Sequence, residues 1–265
     1  MDRQRDNLKK RGNATLTEKD LQRYDRQILI YGFGKEGQAK LKKAKVFLAG
    51  AGGLGSPAAM YLAAAGIGTI RIADHDTVEL SNLNRQILHW EENIGKRKVD
   101  SAAAKLGKFN SGIKIETIAE TITEANVSEL VGDSDLIVDA MDNLPTRYLL
   151  NRTAIAKGIP FFHGAVYGFE GRAMTVLPGK TACLNCLYHG ATVPKAKFPI
   201  IGVTPAVIGC IQATEVIKYI VGLGDLLTDR LLNYDALNMK FTEFKINRDP
   251  DCACCGEKSG KGKKQ

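Results

Sequence analysis

No stretch of this 265-residue chain approaches the ~18 unbroken apolar residues that a membrane span requires. The most apolar segment, Ala58 to Ile70, contains Gly66 and Gly68 and stops at Arg71. Its small residues suit a helix packed closely on a sheet. The N-terminus is charged and has no apolar stretch of the kind a secretory leader carries, so a cytoplasmic setting is expected. Internal repeats are absent, and the body has no stripe of aromatic and basic residues of the sort that binds single-stranded nucleic acid. The net charge of +8 would otherwise invite that function, but residues 1–13 carry five bases and two acids, and residues 256–265 four bases and one acid. Most of the excess therefore sits in two short tails expected to be disordered. The body is near neutral, and neither nucleic acid nor membrane is an expected partner.

What is present is an ordinary soluble composition, 44% hydrophobic and 25% charged, on a chain long enough for an ample core. Thr15 or Thr17 caps an expected helix that runs through Arg23–Ile28, followed by a second helix over Lys35–Lys43. Val46–Ala49 reads as a buried strand, Ser56–Ala65 as a helix and Thr69–Ala73 as a strand, which together make one βαβ unit. Helical segments over 95–108, 125–131 and 146–157 then alternate with strands at 114–118, 136–140 and 160–165. This alternation predicts an α/β fold with a doubly wound, mostly parallel, Rossmann-like sheet. From Gly171 the pattern changes to an antiparallel extension. It holds a strand at 172–177, a long helix at 205–221 and a closing hairpin over 231–234 and 239–246. Residues 187–202 lack periodicity and are expected to form a mobile loop.

Between the first strand and its helix lies Gly50-Ala51-Gly52-Gly53-Leu54-Gly55. Glycines here let the backbone approach phosphate, and the helix N-terminus offers unpaired N–H groups and a positive dipole. Asp74 ends the next strand, where a carboxylate accepts hydrogen bonds from ribose hydroxyls. To this point a dinucleotide-dependent dehydrogenase fits equally well. Arg85 and Lys98 favour a triphosphate, because displacement at its α-phosphorus builds charge on the leaving pyrophosphate that cations and Mg2+ stabilise. Asp142 follows the 136–140 strand, where ligands bind in such sheets, and could hold Mg2+. The alternative is that Asp142-Asn143 is simply a turn.

Two Cys-x-x-Cys pairs, Cys183/Cys186 and Cys252/Cys255, favour a closed tetrahedral Zn2+ site in a reducing compartment. Its expected role is to tie the C-terminus to the 183–186 turn. Cys254 and Cys210 are left over, the latter as a small core residue.

These pieces together resemble the HesA/MoeB/ThiF family, relatives of ubiquitin-activating enzymes that adenylate the C-terminus of a ubiquitin-like sulfur carrier. The resemblance runs from Arg23 to Gly256 through Arg23-Tyr24-Asp25-Arg26-Gln27, Gly50–Gly55, Asp74-His75-Asp76-Thr77-Val78, Ser81-Asn82-Leu83-Asn84-Arg85, Lys98, Met141-Asp142-Asn143, both cysteine pairs and Gln212-Ala213-Thr214-Glu215. It implies a single adenylation domain over 15–256, with a nucleotide-binding part at about 44–170 and a zinc- and carrier-binding part at about 171–256. Residues 1–14 and 257–265 are left as basic tails. It also implies that Gly50, Gly52, Gly53, Gly55, Asp74, Asp76, Ser81 to Arg85, Lys98, Asp142 and Asn143 form the ATP and Mg2+ site. Arg26 matches an arginine that family members deliver into the neighbouring subunit's site, which implies a homodimer. The expected reaction is ATP-dependent adenylation of a carrier's C-terminal Gly-Gly carboxylate, of the molybdopterin or thiamin type. The same fold could instead adenylate a small-molecule or peptide carboxylate, or serve as a non-catalytic adaptor. The 187–202 loop lacks the cysteine many relatives carry, and no rhodanese-like domain follows Cys255. Sulfur is accordingly expected from a separate sulfurtransferase.

Overall fold

A computed structural model describes residues 14–192 and 198–256. Both expected tails and the middle of the 187–202 loop lie outside these residues. The centre of the fold is an eight-stranded sheet in the order β3-β2-β1-β4-β5-β6-β7-β8. Its strands are β1 (Lys45–Ala49), β2 (Thr69–Ala73), β3 (Lys114–Ile118), β4 (Leu136–Asp139), β5 (Phe161–Tyr167), β6 (Glu170–Val176), β7 (Arg230–Asp235) and β8 (Lys240–Lys245). β1 to β5 pair in parallel, and β6, β7 and β8 continue antiparallel. The chain runs outward from β1 through β2 to β3 and then returns to the other side of β1 with β4. Their carboxyl ends therefore flank a crevice at the point where the strand order reverses.

Strand alternation divides the core. Val46 and Leu48 of β1 face one cluster, with helices α3 (Gly34–Lys43), α4 (Gly55–Ala65), α5 (Lys98–Phe109) and α9 (Val203–Val221) packed over it. Phe47 and Ala49 face the other, under α6 (Val127–Val131), α7 (Leu144–Lys157), α8 (Leu184–Tyr188) and the C-terminal cysteines. α4 buries Ala58, Ala59, Leu62 and Ala63, which lets it sit close to the sheet as its composition suggested. Among the described residues, no helix is long and apolar enough to cross a membrane.

Three expectations need correction. The first helix does not run unbroken to Ile28. It is capped by Thr17 in a reciprocal box with Asp20 and ends as α1 (Glu18–Arg23), and α2 (Asp25–Ile28) starts after Tyr24. The break lets the buried Tyr24 ring turn inward, where its hydroxyl accepts from Asn110 Nδ2 at 2.9 Å. α5 begins at Lys98 rather than Gly95, because Gly95 takes φ +82° and Arg97 pairs in a short antiparallel bridge with Thr77. The loop expected over 187–202 gives up its first residues to α8, a one-and-a-half-turn helix set by the first cysteine pair. Elsewhere the element ends shift by one or two residues.

Candidate functional site

The glycine turn leaves β1 at Gly50, whose φ of +100° and close approach to Ala140 O (2.7 Å from any Cβ) exclude a side chain. Gly55 is tighter still, since a Cβ there would fall 2.0 Å from Gly50 O. The turn thus folds back on itself and opens α4 with no side-chain cap at Leu54. Ser56 already donates its N–H to Gly52 O at 2.9 Å and Pro57 has none, so it is the amides of the turn itself, through Gly55, that are placed to serve an anion at the crevice. Gly52 and Gly53 lie on the outer side of the turn, towards Gln86 and Arg85.

Asp74, at the end of β2, is braced on both oxygens. Oδ2 accepts the Ala51 N–H at 2.8 Å and Oδ1 the Asp76 N–H at 2.9 Å. It is half-exposed, so lone pairs remain for hydroxyl donors. Asp76, predicted as a nucleotide ligand, is exposed and pairs with Lys98: Nζ lies 2.8 Å from Oδ2, and the Lys98 N–H donates to Asp76 O at 2.9 Å. Lys98 is 5% exposed although it carries a charge at the start of α5, so its ammonium is aimed rather than free. Arg85 follows the short 3-10 turn Leu80–Asn82 and spends Nη1 on Ser81 O and Asn84 Oδ1, each at 2.9 Å. Ser81 and Asn84 are exposed. Asn82, also predicted to contact nucleotide, is buried and gives its amide to the loop, with Oδ1 accepting from the Glu79 N–H. Leu83 is half-buried beside it.

Asp142 is exposed just past β4, and Asn143 caps α7 by accepting the Thr146 N–H at 3.0 Å while donating to Asp142 Oδ1 at 3.3 Å. An exposed carboxylate just past the carboxyl end of β4 suits Mg2+, which is normally held by one or two carboxylates together with substrate phosphates. Arg26 stands apart on α2. It is exposed and, among the described residues, bonds to none of these groups.

Two buried histidines went unread in the sequence. His89 is 3% exposed, bonding Ala51 O through Nε2 and Ser101 Oγ through Nδ1, both at 2.9 Å. His163 is fully buried and pairs its Nδ1 with Asp139 Oδ2 at 2.7 Å. Burial pushes both imidazoles below their ordinary pKa, more strongly than their acceptors raise it. The signal that could have found them is a histidine within an otherwise apolar run, Ile87-Leu88-His89 and Phe161-Phe162-His163. Gln212 and Glu215, on the buried side of α9, are likewise structural. Gln212 Nε2 donates to Asp139 O and Phe162 O, and Glu215 Oε2 accepts from Thr175 and from the Leu227 N–H.

The four predicted metal ligands converge. The Sγ atoms of Cys183, Cys186, Cys252 and Cys255 lie within 4.8 Å of one another, with pairs at 3.4, 3.7 and 3.9 Å. A tetrahedral Zn–S site of 2.3 Å bonds has edges of about 3.8 Å, so this cage fits zinc without rearrangement. The fold supports the cage from outside, with Arg248 Nη2 donating to Cys255 O and the Asp249 N–H to Cys186 Sγ. Cys254 sits beside the cage, its thiol within hydrogen-bond reach of Cys183 and accepting from Asn151 Nδ2 at 3.2 Å. Cys210 is half-buried on α9. A groove of about 590 Å3 opens between the start of α7 and the cysteine lobe, and none of the predicted nucleotide residues lines it.

Known proteins share this arrangement. A model of the ThiF family matches residues 24–254. The SAMP-activating enzyme E1 of Haloferax volcanii is 44% identical over 248 residues, covering 92% of this chain and 92% of that protein. The sulfur carrier protein adenylyltransferase of Thermus thermophilus is 39% identical over 91% of this chain and 93% of its own length. The chain spans only about half of the adenylyltransferase and sulfurtransferase MOCS3 of Arabidopsis thaliana, at 41% identity and 54% of that protein. Among solved structures, E. coli MccB with MccA-N7isoASN superposes with a TM-score of 0.82 at 26% identity, over 94% of this chain and 79% of that one. E. coli MccB with ATP gives 0.78 at 26% identity, over 91% and 82%. With the family model matching residues 24–254 and relatives 44% and 39% identical along more than nine-tenths of their own length, the chain belongs to the ThiF family.

Proposed function

We propose that this protein activates the C-terminal glycine carboxylate of a ubiquitin-like sulfur carrier as an acyl-adenylate, releasing pyrophosphate from ATP. The observation that carries the reading is the convergence, at the carboxyl ends of β1, β2 and β4, of an anion-binding turn, a braced Asp74, a buried Lys98 ammonium and the exposed Asp142 carboxylate. The sulfur carrier protein adenylyltransferase and the SAMP-activating enzyme, similar along most of their length, support this substrate class.

Each residue has a role that charge and geometry suit. Asp74 accepts from the ribose, while the backbone amides of Gly52, Gly53 and Gly55 receive phosphate oxygens. Lys98 and Arg85 meet the negative charge that builds between the α-phosphate and the departing pyrophosphate. The carrier carboxylate is ionised at neutral pH. One of its oxygens forms the new bond to the α-phosphorus as the bond to the pyrophosphate oxygen breaks, and no proton changes hands. Catalysis is then positioning and charge stabilisation. Asp142 would hold Mg2+, which supplies charge neutralisation across the phosphates. Among the described residues Arg85 engages only Nη1 with its own loop, so Nε and Nη2 keep donors for phosphate while Nη1 steadies the guanidinium.

The zinc cage serves structure. A homodimer fits the exposed Leu29, Ile30 and fully exposed Tyr31 that follow Arg26, an apolar run left uncovered among the described residues. Sulfur would come from a separate sulfurtransferase in a cytoplasmic setting, since no cysteine is available in the loop beside the crevice.

The test is ATP–pyrophosphate exchange by the purified protein, with and without a small carrier ending in Gly-Gly. Carrier-dependent exchange is expected. Exchange supported equally by a short carboxylate, with no response to any carrier, would move the substrate to a small molecule.

A further inference from the structure

Behind Asp142 lies a buried polar group that the reaction as described does not use. Asp139 ends β4 with its side chain fully buried. Its Oδ1 accepts the Met141 N–H at 3.1 Å, and its Oδ2 accepts His163 Nδ1–H at 2.7 Å. Arg147, from the first turns of α7, donates Nε and Nη2 to Met141 O at 3.2 and 2.5 Å and lies 3.7 Å from Asp139 Oδ2. The Met141 peptide is therefore gripped at both ends, its N–H by a carboxylate and its carbonyl by a guanidinium. The residue it carries next is Asp142. His163 Nε2 faces Tyr188 Oη of α8 at 3.4 Å, and the two rings meet edge to face at 5.9 Å.

We propose that His163 is a positioning residue for the adenylation site: by holding Asp139 Oδ2 it keeps Oδ1 on the Met141 N–H, and so sets the aim of the Asp142 carboxylate. This rests on the reading of Asp142 as the Mg2+ ligand. The physical argument is one of competition. Asp139 has two oxygens and three callers, and Arg147 is the only charged one. With the His163 donor in place, Oδ2 is satisfied and the guanidinium is left for Met141 O. Without it, Oδ2 is a buried charged acceptor with no close donor, a costly state. Rotation of the carboxylate towards Arg147 relieves that cost. It also draws Oδ1 off Met141 N–H and the guanidinium off Met141 O, and both grips on the peptide loosen together.

Two substitutions of similar chemistry separate this role from packing. His163→Asn places an amide N–H near the position of Nδ1 and keeps the bond to Asp139. His163→Gln places it near Nε2, towards Tyr188, and abandons Asp139. Mn2+ binding, followed by electron paramagnetic resonance in the presence of a non-hydrolysable ATP analogue, reads the Asp142 site without turnover. Melting temperature and zinc content report the fold. The expected result is weaker Mn2+ binding in H163Q, by about 10–100-fold as for other outer-shell partners of metal ligands, with H163N near wild type. The same order should appear in the Mg2+ needed for half-maximal pyrophosphate exchange. A packing role predicts the reverse, since Asn leaves the larger void. Equal effects in the two variants, or a larger effect in H163N, would overturn the inference. Asp142→Asn is the reference: if it binds Mn2+ as wild type does, the reading of Asp142 falls and this inference with it. If D142N loses Mn2+ while H163Q keeps it, the inference alone falls.

Discussion

His89 donates its Nε2–H to the carbonyl of Ala51 across 2.9 Å, which ties a ring on one side of the crevice to the middle of the glycine turn on the other. A carbonyl has no proton to give, so the donor must be the imidazole. Nδ1 is then free to accept from Ser101, one turn into the helix that Lys98 begins. One neutral ring thereby spans phosphate turn and cation.

This neutrality has a pH signature. Burial lowers the pKa of His89, with Lys105 and Lys98 adding to it and the Ala51 bond and Asp74 opposing. A folded-state pKa below the unfolded value means that the unfolded chain takes up the proton first. The stability His89 contributes is complete above the ordinary imidazole value of about 6.5 and is lost as pH falls from there towards its folded value. His163 shifts the same way, again through burial. Melting temperatures from pH 8 to 5 should fall more steeply for wild type than for His89→Gln, which keeps an N–H towards Ala51 without the titration. Parallel curves would show that His89 does not stay neutral.

Arg85→Ala should separate chemistry from folding. Among the described residues its guanidinium bonds only to its own loop, so stability should move by no more than about 0.5 kcal/mol. Pyrophosphate exchange should drop by about 10²–10³, the scale for losing one group that meets developing charge. An unchanged rate would remove Arg85 from the mechanism.

If Arg26 serves the neighbouring subunit, Arg26→Ala and Lys98→Ala should each be inactive alone and regain part of the exchange activity when mixed and allowed to re-pair. Mixed dimers contain one site with both residues intact. Lack of recovery between variants that each still dimerise by ultracentrifugation would place Arg26 outside the site.

Glu215→Ala tests stability away from the nucleotide. The substitution orphans the Leu227 N–H and the Thr175 hydroxyl, held at 2.6 and 2.7 Å by the same buried oxygen. Two such losses amount to about 2–4 kcal/mol, which urea unfolding should resolve. ATP affinity of the remaining folded protein should not change.

For the cysteine cage the expected stoichiometry is one zinc per chain by atomic emission, falling sharply in Cys252→Ser. Hydrogen exchange should speed up over α8 and residues 248–256, which the cage joins. A metal-free wild type with the same melting temperature would leave the four sulfurs as a packing cluster.

How much of this was legible in the sequence depended on reach. The glycine turn, Asp74 and the parallel strands are local patterns, and they were read within a residue or two. Tyr24 broke a helix whose capping and composition were both sound, because its hydroxyl answers to Asn110, 86 residues away. Asn82 and Asp76 sat in the right motifs, but their side chains turned to the loop and to Lys98, which spacing alone does not show. His89 and His163 were missed because each takes its meaning from a partner 38 or 24 residues distant. The cysteine pairs were the exception at long range, since soft ligands in such pairs have few other uses inside a reduced protein.

The eight strands form one hydrogen-bonded ribbon, so the crevice over β1, β2 and β4 and the cysteine lobe beside β5 to β7 belong to a single plate rather than to two hinged bodies. Among the described residues such a plate offers no hinge between the two parts, so the distances between the glycine turn, Asp74 and Asp142 are fixed by the sheet itself. The speed of such an enzyme is governed by how accurately its side chains are parked beforehand, and substitutions far from the phosphates matter when they disturb that parking.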